Sequence, residues 1–276
     1  PPRFLVLLVN YFNDDDTCSF ARNQVKRHGP ASPGVVIVNN GSRDGKPLRE
    51  LTQEFPDILL VEANGNIGYL PGAALGLRAW LDAGRGMPDV VILSNNDITI
   101  PGPLFGEDYR TAERMQFDIL GPDIVSSRLH QHQNPFLRNR ISRRRLRMLT
   151  LLSSNLALHY LFLAAYFAKE KILSRVREKA PDPGPILPVY GIHGSFMIFH
   201  RSFFEKGGTL DYPNTLYGEE IWLGERALRL GLRTGFDPSL KVIHREHSST
   251  GMFKSLRLMR FMHRSYRYLL HHYDDE

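Results

Sequence analysis

The sequence of 276 residues predicts an α/β fold with a mostly parallel central sheet and helices on both faces. Two observations carry this prediction. In the first hundred residues, apolar runs of strand length alternate with segments of helical periodicity. Several of these runs also end in polar residues, as expected where the carboxyl ends of parallel strands line a ligand site.

The first predicted strand is FLVLLVNYF (4–12), and the acidic run at 14–16 begins a helix that extends to about Lys26. PGVVIVNNGSRDG (33–45) contains the second strand and its polar turn. DILLVEANGN (57–66) contains the third strand.

LPGAALGLRAWLDAG (70–84) is predicted to be a helix with Ala74, Leu77 and Leu81 on one face. The fourth strand is DVVILSNNDITI (89–100). The first hundred residues therefore run strand, helix, strand, helix, strand, helix, strand.

The pattern changes between 128 and 185, where strand alternation is absent and a helical insertion is predicted. Strand character returns in LPVYGIHGSFMIFHRSFF (187–204). LYGEEIWLGERALRLG (216–231) is a predicted helix that ends at a glycine. A strand with a loop follows, and a basic aromatic helix (251–276) closes the chain.

The composition limits the class of protein. A single cysteine, Cys18, excludes a disulfide framework and predicts a reducing, cytoplasmic compartment. The apolar N-terminal run lacks the basic flank of a signal peptide. The net charge of +6 is concentrated in 138–148 and 254–272, which predicts attraction to phosphates. These basic residues do not alternate with aromatics on a strand, so nucleic-acid binding is not favoured.

Polar residues end three of the predicted strands: Asn10 with Tyr11, Asn39 with Asn40, and the triplet Asn95, Asn96 and Asp97. Asn and Asp also end strands simply because they favour turns. If the three strand ends converge, however, a carboxylate among them could hold a divalent cation that bridges a diphosphate.

Glu219 and Glu220 begin the predicted helix at 216–231. Glu219 fits the common role of stabilising a helix N-terminus. Glu220 shares the apolar face of the helix, where burial would raise its pKa and suit it to general-base catalysis. Glu225 and Arg229 are predicted to be an ordinary pair on the solvent side. His244 follows an apolar run, and its type and position alone are weak evidence for a metal ligand.

Seven motifs in order resemble the family-2 inverting glycosyltransferases of GT-A fold, most closely the rhamnosyltransferase-like branch. The motifs are VNYFN, VVIVNNGSRDG, NGNIGYLPGAALGLR, ILSNNDITI, GSFMIFHRSFFEKGG, LYGEEIWLGERALRLG and VIHREHSS. The resemblance covers about 4–127 and 188–250. It implies one GT-A domain over 1–276, with a nucleotide-sugar-binding half (1–100), an acceptor and catalytic half (101–250) and the basic C-terminal helix.

The resemblance also implies roles for individual residues. Glu220 would be the catalytic base, and Asp97 with His244 would bind Mg²⁺ or Mn²⁺. The nucleotide sugar would contact Asn10, Tyr11, Asn39, Gly68, Tyr69, Asn95 and Asp97. The acceptor side would be formed by Gly194, Ser195, Glu219 and Trp222.

Three residues depart from the family pattern. Asn39 replaces an aspartate, although its amide oxygen can still accept a hydrogen bond from N3–H of uracil or thymine. The metal triplet has one carboxylate, Asp97, which predicts weaker metal binding. Glu220 replaces an aspartate and is longer by one methylene. The implied donor is a dTDP- or UDP-sugar, with dTDP-rhamnose suggested by the branch.

The segment 148–168 contains no charged residue and is long enough to span a bilayer. A single crossing would separate Asp97 from Glu220, so we predict that it does not cross. Instead, it and the two basic segments are predicted to contact the anionic inner face of the cell membrane, which would suit a lipid-linked glycan acceptor. Packing on the domain, or in a homo-oligomer, is the alternative.

A second hypothesis is a GT-A module that binds a nucleotide or glycan but has lost catalysis. Asn39 and the single carboxylate of the triplet favour this hypothesis. Glu220 and His244 favour catalysis, because a decayed site has no need of a carboxylate on a buried face.

Overall fold

The computed structural model describes residues 3–28, 32–42, 44–102, 104–105, 107–128, 130–161, 184–246 and 256–273. Nine strands in these ranges form one sheet. They are β1 (Phe4–Asn10), β2 (Gly34–Asn39), β3 (Leu59–Glu62), β4 (Val90–Ser94), β5 (Ile98–Thr99), β6 (Ile119–Ser126), β7 (Leu187–Pro188), β8 (Phe196–His200) and β9 (Thr234–His244).

Seven α-helices with assigned bounds accompany the sheet within the described ranges. They are α1 (Asp14–His28), α2 (Lys46–Glu54), α3 (Tyr69–Asp82), α4 (Arg143–Ser154), α5 (Arg201–Glu205), α6 (Glu219–Arg229) and α7 (Leu256–His272). Residues 156–161 are also helical.

The strand order is β3-β2-β1-β4-β8-β6-β9-β5, with β7 paired to β9. Strands β1 to β4 are parallel, as predicted. Strand β8 runs antiparallel between β4 and β6. Because β6 and β9 are parallel to each other and β8 reverses direction between β4 and β6, the carboxyl ends of β1, β2, β4, β6 and β9 share one edge of the sheet.

The sheet has a separate apolar core on each face. Strand β1 contributes to both, since Phe4, Val6 and Leu8 point to one core and Leu5 and Leu7 to the other. Helix α1 adds buried residues to the first core, and α3 and α6 add theirs to the second. This two-sided burial explains why the strands are almost continuously apolar rather than alternating with polar residues.

The predicted helix at 70–84 is observed as α3, with Ala74 and Leu77 buried as expected. Leu81 shares this face, but its side chain is 38% exposed. Leu81 lies in the last turn of α3. The helix continues there beyond the buried stretch that ends at Leu77, which periodicity alone does not reveal.

The helical prediction for 128–185 was wrong in its first part. Residues 130–142 form a loop with two isolated bridges, which pair Val125 with His132 and Leu137 with Gly191. The loop is held by Asn134, whose side chain donates to the carbonyl of Pro122 and accepts from the N–H of His193. Helix α4 follows with Ser142 as its N-cap. Residues 162–183 lie outside the described residues.

The prediction that Glu225 faces solvent was also wrong. Its side chain is buried and accepts two hydrogen bonds of 2.9 Å from the guanidinium of Arg140. The hydroxyl of Tyr190 donates a third, also at 2.9 Å. The pair joins α6 to the loop before α4, so Glu225 has a structural partner that its sequence neighbours did not indicate.

Candidate active site

An open cleft of about 680 Å³ lies along the edge where the parallel strands end. Ten of its lining residues are Tyr11, Asn40, Tyr69, Asn95, Asp97, Gly194, Ser195, Glu219, Glu220 and His244. The triplet at 95–97 is tied to the residue before β8, because the N–H of Asn95 donates to the carbonyl of Ser195 at 2.8 Å. Strands distant in sequence therefore place these side chains around one space.

The structure brings together nine of the predicted site residues: Tyr11, Tyr69, Asn95, Asp97, Gly194, Ser195, Glu219, Glu220 and His244. Asn10 and Asn39 are buried and do not line the cleft. Gly68 does not line the cleft either, and a Cβ there would be 2.4 Å from the carbonyl oxygen of Thr215. Trp222 packs against Tyr212 and is not among the lining residues.

Asn39 has a fixed amide orientation. Its Nδ2 donates a 2.6 Å hydrogen bond to a carboxylate oxygen of Glu62. Because a carboxylate accepts but an ionised one does not donate, the amide nitrogen must face Glu62 and Oδ1 must face Asn10 and Gly41. The acceptor of Asn39 is therefore directed at Asn10 and Gly41.

His244 and Asp97 form the polar corner of the cleft. Nε2 of His244 lies 3.2 Å from Oδ1 of Asp97. Oδ1 is buried and has no hydrogen-bond partner within the described part of the chain. A buried carboxylate oxygen without a donor, beside an imidazole nitrogen, fits a divalent cation that would be shared between the two side chains.

Within the described residues, no group of three or more His, Cys, Asp and Glu side chains could hold a metal ion. Asp97 and His244 would therefore supply two ligands, and oxygens of a bound diphosphate or water would supply the others. The weak metal binding expected from the single carboxylate of the triplet stays a prediction.

Glu220 projects into the cleft from the first turn of α6. The backbone N–H of Gly194 donates to its Oε1 at 3.3 Å. Burial raises the pKa of Glu220, which makes its carboxylate a stronger base than one in water. Glu220 therefore places on the cleft wall a carboxylate that is oriented by Gly194 and has a raised pKa.

Glu219 is more deeply buried than Glu220 and accepts a hydrogen bond from the N–H of Tyr217 at 3.0 Å. Burial, and then the charge of Glu220, raise its pKa. Gly218, the residue before α6, has a left-handed φ of 83°. A Cβ there would be 2.6 Å from Leu269 on α7, so a larger residue would displace the helix start.

The hydroxyl of Tyr69 is buried and has no hydrogen-bond partner among the residues that the structure describes. Burial raises its pKa, and the charges of Glu219, Asp97 and Glu220 add to the effect. The hydroxyl therefore remains protonated and is available as a donor on the cleft wall.

Several lining residues were not predicted from the sequence: Arg128, Gln133, His193, Tyr217, Glu246, Arg257 and Phe261. Arg128 follows the end of β6, so its place beside a parallel strand end could have been found once β6 was recognised. Nδ1 of His193 accepts a hydrogen bond from the N–H of Ser195. Burial lowers the pKa of the His193 imidazole to about 4. No motif in the loop 130–142 indicated Gln133.

Solved structures of glycosyltransferases share the fold of this chain. A mannosyltransferase from Pyrobaculum calidifontis, PcManGT, in complex with GDP-Man and Mn²⁺ superposes with a TM-score of 0.53 at 14% identity. The alignment covers 100% of this chain and 65% of that one. GalNAc-T7 with UDP, GalNAc and Mn²⁺ gives 0.56 at 12% identity, over 90% of this chain and 44% of that one.

The chain has the GT-A glycosyltransferase fold. The aligned part of the chain corresponds to just under two thirds of the mannosyltransferase and to less than half of GalNAc-T7. No protein-family model matches the sequence of this chain.

Curated relatives of this chain are named as glycosyltransferases. N-acetylglucosaminyl-diphospho-decaprenol L-rhamnosyltransferase of Mycobacterium tuberculosis is 27% identical over 224 residues, which are 79% of this chain and 68% of that protein. Low-salt glycan biosynthesis hexosyltransferase Agl10 of Haloferax volcanii is 25% identical over 251 residues, 91% of this chain and 69% of that protein. The resemblance to rhamnosyltransferase-like glycosyltransferases of GT-A fold is confirmed.

Proposed function

We propose that the chain transfers a sugar from a nucleotide-diphosphate donor to a hydroxyl of a glycan or lipid-linked glycan, with inversion at the anomeric carbon. The observation that carries this proposal is the position of Glu220, whose carboxylate lines the same cleft as Asp97 and His244. The likeness to a rhamnosyltransferase and a hexosyltransferase supports glycosyl transfer as the general activity.

The proposed reaction is a single displacement. The Glu220 carboxylate removes the proton of the acceptor hydroxyl as its oxygen attacks the anomeric carbon. The bond from that carbon to the diphosphate oxygen breaks, and its electron pair leaves with the nucleoside diphosphate. The raised pKa of Glu220 favours this proton transfer, since a stronger base gains more from the exchange.

Asp97 and His244 are the residues that would hold Mg²⁺ or Mn²⁺. When bound there, the cation would neutralise charge that develops on the leaving diphosphate. The neighbouring hydroxyl of Tyr69 supplies a donor for the same region of the substrate, because it is buried in the cleft wall without a partner.

Glu220→Gln tests the catalytic role. The amide keeps the shape of the side chain but cannot accept the proton, so transfer should fall by about 10²–10⁴-fold. The shift in Tm on adding nucleotide should stay unchanged, because donor binding does not need the base. Glu50→Gln on the exposed face of α2 is a matched control that should leave turnover at the wild-type rate. Unchanged turnover in Glu220→Gln would remove Glu220 from the mechanism.

The donor can be identified by thermal unfolding with UDP, dTDP, GDP and CDP, each with and without Mn²⁺. A ligand that binds only the native state raises Tm. We expect UDP or dTDP to raise Tm, because the resemblance to the rhamnosyltransferase-like branch implies a dTDP- or UDP-sugar donor. Nucleotide binding with no transfer from any sugar nucleotide would instead support the non-catalytic module.

The anionic membrane is the second proposed partner. In the described residues no helix is long and apolar enough to span a bilayer. One side of α4 and α7 packs on the domain through Leu146 and Leu269. Leu151 of α4, Leu161 of the helical segment 156–161 and Leu256 of α7 are at least 60% exposed. Leu256 lines a groove of about 770 Å³. The groove is lined by the cationic side chains Arg260, Arg264 and Arg267, together with His263, His271 and His272.

Exposed apolar side chains beside a cluster of arginines suit a peripheral contact with anionic headgroups. Liposome flotation tests this proposal with vesicles that contain or lack anionic lipid. The double substitution Arg264→Glu with Arg267→Glu should abolish flotation with anionic vesicles, whereas Lys46→Glu on α2 should not. Absence of wild-type binding to either vesicle would reject the membrane contact and leave glycosyl transfer untouched.

A further inference from the structure

Both ring nitrogens of His244 have assigned neighbours. Nε2 faces Oδ1 of Asp97 at 3.2 Å, and Nδ1 lies 2.8 Å from Oε1 of Gln133. A neutral imidazole carries its proton on only one nitrogen, so the neighbour on the Nδ1 side decides which nitrogen keeps a free electron pair.

The amide orientation of Gln133 is determined by Glu246. Nε2 of Gln133 donates a 2.7 Å hydrogen bond to Oε1 of Glu246. An ionised carboxylate has no proton to donate, so the amide NH₂ must face Glu246 and the amide oxygen must face His244. That oxygen only accepts, and therefore the proton of His244 lies on Nδ1.

The backbone holds this chain of three side chains in place. The N–H of Gln133 donates to the carbonyl of Ile124 in β6 at 2.8 Å. Glu246 has a left-handed φ of 54°, which is uncommon for a residue other than glycine. Its predecessor Arg245 donates from its N–H to the carbonyl of Asp97 at 2.9 Å. An uncommon backbone conformation thus accompanies the contact with Gln133.

We propose that Gln133 and Glu246 are positioning residues that hold His244 with Nδ1 protonated and the Nε2 electron pair directed at Asp97. The pair Nε2 and Oδ1 is then ready to receive a divalent cation before the donor binds. The proposal rests on the proposed metal site of Asp97 and His244, and it adds two residues that neither the motifs nor the resemblance indicated. Metal-bound histidines commonly need such a partner on the other ring nitrogen, and losing it typically weakens metal binding by about 10–100-fold.

The first measurement is ¹⁵N NMR of the histidine side chains in the metal-free wild-type protein. We expect Nδ1 of His244 to give the signal of a protonated nitrogen and Nε2 that of a nitrogen with a free electron pair. The opposite assignment would overturn the proposal without any substitution, so this result does not depend on a variant that folds.

The second measurement is Mn²⁺ affinity, read from the electron paramagnetic resonance signal of the free ion. Gln133→Met keeps the length of the side chain and removes the amide, so Mn²⁺ affinity should fall by about 10–100-fold and His244 should show both tautomers. Gln131→Met, on the exposed side of the same loop, is the matched control and should bind Mn²⁺ like wild type.

A reciprocal exchange separates positioning from packing. In the double variant Gln133→Glu with Glu246→Gln, the carboxylate at 133 accepts from Nδ1 and from the amide at 246. This variant should recover Mn²⁺ affinity to within a few fold of wild type. Wild-type affinity in Gln133→Met would overturn the positioning role. If Asp97→Ala also left Mn²⁺ affinity unchanged, the proposed metal site itself would be wrong, so the two failures are distinguishable.

Discussion

The backbone N–H of Gly194 donates a 3.3 Å hydrogen bond to Oε1 of Glu220, a residue 26 positions later in the chain. The contact joins the loop before β8 to the first turn of α6. It orients one carboxylate oxygen of Glu220. The side chain at position 194 therefore influences the position of the proposed base.

Gly194→Ala should lower kcat. A Cβ at position 194 would lie 2.9 Å from Oε1 of Glu220, so the carboxylate must move by a few tenths of an ångström or more. Small displacements of a catalytic group can reduce rates by up to about 100-fold. We expect kcat to fall by about 10-fold or more while nucleotide binding is unchanged. Gly102→Ala, where a Cβ meets no atom within 4 Å, is the control, and equal kcat in both variants would refute the prediction.

Glu219→Gln should stabilise the protein, increasingly so as the pH rises. Burial raises the pKa of Glu219 above its ordinary 4.5. Between the ordinary and the raised pKa the unfolded chain ionises while the folded protein holds the proton, so the wild type loses stability as pH rises. The amide cannot ionise and avoids this loss. Tm measured from pH 5 to pH 8 should therefore show a difference between Glu219→Gln and wild type that grows with pH.

Two outcomes would count against this prediction. A constant difference in Tm across the pH range would mean that Glu219 does not titrate differently in the folded and unfolded states. A difference that shrinks as the pH rises would mean that the carboxylate is stabilised rather than penalised by its surroundings. Glu50→Gln, on the exposed face of α2, should give a small and pH-independent change.

Tyr69→Phe should weaken donor binding without harming the fold. The hydroxyl is buried and has no partner in the protein, so its removal costs no hydrogen bond within the ligand-free fold. A hydrogen bond to a charged group is worth roughly 1.5 kcal/mol or more, which corresponds to about 10-fold in affinity. Calorimetric titration with the nucleotide sugar measures the loss of affinity, and Tm measures the fold.

Tyr212→Phe is the matched control, since the Tyr212 hydroxyl donates to the carbonyl of Tyr217 at 2.8 Å within the protein. Its removal should lower Tm rather than selectively reduce affinity. A Tyr69→Phe protein with a lower Tm and unchanged affinity would show that the Tyr69 hydroxyl serves the fold.

Glu225→Gln should destabilise the protein by about 3 kcal/mol, because it leaves the guanidinium of Arg140 without its carboxylate partner. The comparison is Glu54→Gln, whose pair with Arg22 has both side chains 41% exposed. An exposed pair contributes less than about 1 kcal/mol. Urea unfolding gives both free energies, and equal losses in the two variants would contradict the importance of burial.

The parallel half of the sheet could be predicted from the sequence because both of its faces are buried, which leaves continuous apolar runs that end in polar residues. The position of Glu220 followed from helical periodicity, which places it on the apolar face of α6. Apolar runs and helical periodicity depend only on residues that are close in the sequence. They predict a strand or helix correctly where the element is long enough for the pattern to repeat.

The remaining site residues depend on contacts between distant segments. Gln133 reaches His244 from a loop that has no period, and its function requires Glu246, 113 residues later. Glu225 was assigned to solvent because Arg229 lies one turn away, whereas its partner Arg140 is 85 residues earlier. Periodicity shows which face of a helix is polar, but it does not show what packs on that face.

The antiparallel insertion of β8 between β4 and β6 has a consequence for synthesis of the chain. The ribosome completes Val90–Ser94 about a hundred residues before Phe196–His200, its neighbour in the sheet. At roughly 5–20 residues per second, β4 remains an uncovered apolar edge for about 5–20 s. Uncovered edges of this kind recruit other chains. The nascent chain should therefore need chaperones between the synthesis of β4 and that of β8. A fragment that stops near residue 100 should aggregate rather than fold.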